Sequence, residues 1–144
     1  MTPHRAAVVA GNDSSVTLYR RFGELALSGN TLLPTNGAPG VVVPALNVNT
    51  ALTRAQAAVL KIDAEGMEAS LVYAVEDWSP IRAVVLEYHA ELLGDASGVG
   101  LQEFLGYLQA AFPRVQLERS STLARCFLVA AALSSGLPKV FLNE

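Results

Sequence analysis

Apolar positions along the chain fall into two rhythms. Residues 5–11 (RAAVVAG) form a short apolar run ended by a turn cluster of Gly11, Asn12, Asp13, Ser14 and Ser15, and residues 15–22 (SVTLYRRF) alternate apolar with polar. Both patterns predict strands, the second half-exposed. Residues 23–40 are dense in glycine, proline and small polar residues and predict a long loop. A strand is predicted over 40–48 (GVVVPALNV), where Pro44 lacks an N–H and implies an edge position or the end of a ladder. Thr50 or Thr53 is the expected cap of a short helix running to Ala58.

The second half of the chain is more regular. Residues 58–64 (AVLKIDA) predict a strand. Residues 65–77 carry Met67, Leu71, Ala74 and Val75 at helical spacing, and Ser79-Pro80 is the expected stop. Residues 81–89 (IRAVVLEYH) are apolar almost throughout, as in a strand covered on both faces. Residues 99–112 place Leu101, Phe104, Leu105, Leu108 and Phe112 on one helical side. Strands over 114–118, 124–131 and 137–143 complete the pattern. Alternating strands and helices predict an α/β fold, a mostly parallel sheet with helices on its faces.

Length and charge narrow the function. At 144 residues the chain is expected to be a single domain, 1–144. Ten basic residues are scattered, and the formal net charge is −3, so no nucleic-acid groove is expected. The single cysteine, Cys126, sits in an apolar run and reads as a buried, inert thiol. The most apolar window, 126–137, is too short to span a bilayer, and the N-terminus shows no export signal. A cytoplasmic location and no membrane span are the corresponding expectations.

The candidate chemistry lies where the predicted strand 58–64 hands over to a helix. Lys61, Asp63, Glu65 and Glu68 are crowded there, although charges are seldom buried without partners. Ligands of open α/β sheets bind beyond the carboxyl ends of the strands. Asp63 and Glu65 lie at such an end, and Glu87 and His89 lie at the end of the next strand. If the two strands are parallel neighbours, three carboxylates and one imidazole meet at one rim, where a base, a metal or a set of hydroxyl acceptors could be built. Glu65 and Glu68 also suit a plain role at a helix N-terminus, and Lys61 reads equally as a buried partner of Glu87. Carboxylates suit Mg²⁺ or Ca²⁺, but no HExxH, CxxC or EF-hand spacing occurs, and no metal ligand is assigned on sequence.

The stretch LKIDAEGMEASLV followed by IRAVVLEYHAEL resembles the FkbM-type methyltransferases. Residues Lys61, Asp63, Glu65, Gly66, Glu68, Glu87 and His89 carry the resemblance, which extends more loosely over AAVVAGNDSSVTLY and GNTLLP. It implies an incomplete Rossmann-like methyltransferase fold and an S-adenosylmethionine-dependent O-methyltransferase. The acceptor would be a hydroxyl of a small molecule, sugar or lipid. By resemblance Asp63, His89 and Glu87 are the candidate catalytic residues, and Glu65, Lys61 and Glu68 the candidate substrate-binding residues. No residue is assigned to the cofactor: the glycine-rich strand end and the ribose-binding acid of the family lie upstream of the matching region. The family's first strand would lie beside 59–63, so its absence implies an open sheet edge and self-association. A truncated enzyme is therefore expected, the alternative being a non-catalytic remnant that serves as a binding or assembly module.

Overall fold

The computed structural model describes residues 5–20, 30–34, 37–90, 92, 99–119 and 126–132, the last of these by backbone. Residues 23–29 and 35–36 of the predicted loop 23–40, the strand expected over 137–143 and the Cys126 thiol lie outside the described residues and side chains.

Eleven elements follow one another: β1 (Ala7–Val9), β2 (Ser15–Arg20), β3 (Asn30–Thr31), β4 (Gly40–Asn47), α1 (Val48–Ala55), β5 (Val59–Ile62), α2 (Glu68–Tyr73), β6 (Ala83–His89), α3 (Val99–Ala111), β7 (Arg114–Arg119) and β8 (Cys126–Ala132). They build two open four-stranded sheets, ordered β1-β4-β2-β3 and β5-β6-β8-β7. The α/β class holds. The mostly parallel sheet does not: among the described strands only β1–β4 and β5–β6 pair parallel, and the remaining four ladders are antiparallel. Connection length explains part of this. Six residues, 120–125, separate β7 from β8, too few for the crossover a parallel pair needs and ample for an antiparallel return.

Pro44 marks a change of partner within β4. It closes the ladder with β2, opposite Ser15, and the ladder with β1 begins at the next residue, Ala45. The missing N–H therefore falls where one pairing stops, and β4 is interior to its sheet despite the proline. Asn47, not Thr50 or Thr53, caps α1: its Oδ1 accepts from the backbone N–H of Asn49 (2.9 Å) and Thr50 (3.4 Å). The helix ends at Gln56, which adopts a left-handed conformation (φ 48°).

The core lies around β6. Val84, Leu86 and Tyr88 alternate along that strand and pack with Leu71 and Val72 of α2 and with Leu101, Phe104 and Leu108 of α3. Tyr88 and Phe104 rings lie 5.0 Å apart, within ordinary aromatic contact. The helix expected over 65–77 is shorter than its periodicity suggests, because α2 is complete by Tyr73, yet Leu71 and Val75 are both buried as the stripe predicts. Among the described strands β5 has a single neighbour, β6, and its outer side is unpaired. Val59 is 54% exposed there. Among the described residues no helix is long and apolar enough to cross a membrane.

Candidate functional site at the ends of β5 and β6

β5 and β6 are parallel and adjacent, in a register that pairs Val59 with Ala83 and Ile62 with Leu86. Their carboxyl ends therefore share one rim. The chain leaves β5 at buried Ile62, exposes Asp63 and then turns sharply. Glu65 and Gly66 both take positive φ, 48° and 99°. The turn closes with the Met67 N–H donating to the Ala64 carbonyl at 3.2 Å. A left-handed Glu65 costs roughly 1–2 kcal/mol relative to an ordinary conformation, so other contacts must hold it. Gly66 is required for a separate reason: a Cβ there would sit 2.7 Å from Leu33 Cδ1 and 3.0 Å from Leu92 Cβ.

One of the holding contacts comes from far along the chain. The hydroxyl of Thr31, in β3, donates to the Glu65 carbonyl at 2.8 Å and accepts from the Leu33 N–H at 3.0 Å. Thr31 is buried. No periodic signal singles it out, since its partner is 34 positions away; only the GNTLLP stretch of the resemblance contains it.

The second holding contact is Glu68. Its side chain is fully buried at the start of α2, 0% exposed. Oε1 accepts from the Ala64 N–H (3.1 Å), the Gly66 N–H (3.0 Å) and His89 Nδ1 (2.9 Å), and Oε2 accepts from the Gly66 N–H (3.2 Å). Burial by itself pushes this carboxyl upward. The His89 and Gly66 hydrogen bonds and the attraction of His89 outweigh it, and Glu68 is held below the usual carboxylate range. An ionised carboxylate only accepts, so His89 Nδ1 carries the proton of that bond. Glu68, expected at the substrate, lies behind the surface, fastening the turn to the imidazole.

His89 is 3% exposed at the end of β6, beyond Glu87 on the same side of the strand. One donor atom each from Asp63, Glu65 and His89 lies within 4.8 Å of the other two. The expected convergence at one rim thus occurs for these three. Glu87, half-buried, is outside the trio. Lys61 is exposed, which corrects the reading of a buried pair with Glu87: β5 is an edge strand, and water reaches its lysine.

Alongside the trio runs a cavity of about 300 Å³ on the open side of β5, lined by Ala7 and Val8 of β1 and by Leu60, Ile62, Asp63 and Met67 among others. Asp63 stands at the junction of cavity and rim. The arrangement offers carboxylate acceptors and an imidazole to a polar ligand, next to apolar walls that suit an uncharged body. No protein-family model, curated protein or solved structure matches the chain.

Proposed function

We propose that this domain is the acceptor-binding part of an FkbM-like, S-adenosylmethionine-dependent O-methyltransferase, gripping a hydroxyl of a small molecule, sugar or lipid at Asp63, Glu65 and His89. The observation that carries the reading is the meeting of these three side chains at the carboxyl ends of a parallel strand pair. Carboxylates accept from hydroxyl groups, and an imidazole held by a carboxylate is a suitable base for a hydroxyl proton. Glu68 acts as a positioning residue by holding the ring, and Glu87 is a further acid on the same strand as His89. Apolar Leu60, Ile62 and Met67 supply the wall for a ring or an acyl body.

The described residues do not fit S-adenosylmethionine by themselves. A nucleoside with a zwitterionic tail needs acceptors for two ribose hydroxyls and partners for its amino and carboxyl groups. Among the described residues the cavity beside β5 offers only Lys61 and Asp63 as polar side chains, with apolar residues in the other lining positions. No transfer step is therefore derived for these residues. The same open edge favours a second reading, a binding or assembly module in which β5 pairs with another chain. Titration calorimetry with S-adenosylmethionine separates the two. Micromolar binding supports the enzyme reading. Absent binding, together with concentration-dependent association in sedimentation that Val59→Lys abolishes, supports the module. Heat absent and a monomer at all concentrations would sink both.

A further inference from the structure

We infer that Asp63, Glu65 and His89 form a binding site for one divalent first-row transition cation, of the Mn²⁺ or Fe²⁺ kind. Two observations take the trio beyond a solvated acidic patch. The first is its composition: it joins two carboxylates from the β5 turn to an imidazole that is almost wholly buried. Oxygen donors suit Mn²⁺ and imidazole suits iron and its neighbours, so a mixed set of two oxygens and one nitrogen selects against Mg²⁺ and Ca²⁺, which take oxygen alone. The second lies outside the trio. Glu68 holds His89 through Nδ1 at 2.9 Å and is itself fixed by two backbone N–H groups. A carboxylate on one ring nitrogen is the arrangement that orients a metal-ligating histidine and raises its basicity, with Nε2 as the nitrogen that would ligate.

The distances come close to what one ion needs. Donors about 2.1 Å from one ion stand roughly 3 Å apart when adjacent and roughly 4 Å apart when opposite. The trio's donor atoms lie within 4.8 Å of one another, so closing on one ion would draw exposed Asp63 and half-buried Glu65 slightly inward toward buried His89. Three protein donors leave further coordination positions open, and exposed Asp63 puts them on the solvent side. This is the pattern of a site that receives water or a substrate oxygen rather than one that only braces the fold. The inference deepens the acceptor reading, since an ion there would take the acceptor hydroxyl directly, but ion binding itself needs neither methyl donor nor acceptor.

The probe is Mn²⁺ added to the full chain, followed by calorimetry and by electron spin echo. One Mn²⁺ per chain is expected, with nitrogen modulation from a single imidazole. Asp63→Asn and Glu65→Gln should each weaken binding at least tenfold, while Asp77→Asn, an exposed acid away from the rim, leaves it unchanged. The chain has two histidines, so His4→Gln must keep the nitrogen signal. Absence of saturable binding, affinity indifferent to Asp63→Asn, or a nitrogen signal lost in His4→Gln overturns the inference. The acceptor reading would survive that result, because a hydroxyl can bind the carboxylates without an ion.

Discussion

β4 and β6 are both valine-rich strands with two neighbours in their sheets, and they meet opposite fates. Val42 of β4 is 70% exposed, whereas Leu86 of β6 is 0% exposed. Composition does not separate them. What differs is the layer above: α2 and α3 lie against β6 and fill its apolar side, while the exposed run of β4 is paired in the plane of the sheet by β2 and has α1 only beyond its far end. An apolar run predicts a strand. Whether the strand is core depends on which helices return to it.

The contrast can be broken first at its strongest point. Leu86→Ala removes a fully buried side chain between two neighbouring strands and should cost about 2–5 kcal/mol of stability in urea unfolding. A loss under about 1 kcal/mol would mean that the β6 layer is loosely packed. Next in size is Glu68→Ala, which strips the acceptor from two backbone N–H groups and from His89 at once. About 3 kcal/mol is expected, because partners are left buried without their acceptor. The same variant should broaden the His89 imidazole resonances, and sharp, unmoved signals would show that the ring is held by something else. The smallest effect belongs to β4: Val42→Thr should change stability by less than about 0.5 kcal/mol in the same assay. A larger loss would reveal that this face is covered in solution and would erase the distinction.

The sequence makes the working end of the molecule more legible than its frame. The β5–α2–β6 unit could be read because an apolar strand, a turn carrying Gly66 and a second apolar strand stand close together in the chain, and local pattern is enough to place such neighbours. Asp63, Glu65 and His89 follow from strand ends alone. The division into two sheets could not be read, since it depends on which of several similar strands pair across long separations. Pro44 offered a clue, as the residue at which β4 exchanges partners, but a missing N–H says only that pairing stops and not that another begins. The six-residue connection before β8 was a readable signal for an antiparallel return. Glu68 shows a different limit. An acid at the first position of a helix looks like a surface cap, and only the arrival of His89 from another strand reveals that it is enclosed.

The Thr31 hydroxyl, finally, makes the conformation of the acidic lip answerable to a strand that contributes no charge to it. Glu65 sits in an unfavoured backbone state, and the distant β3 supplies one of the contacts that keep it there. Changes in that strand can thus shift the reach of the Glu65 carboxylate without altering the carboxylate itself.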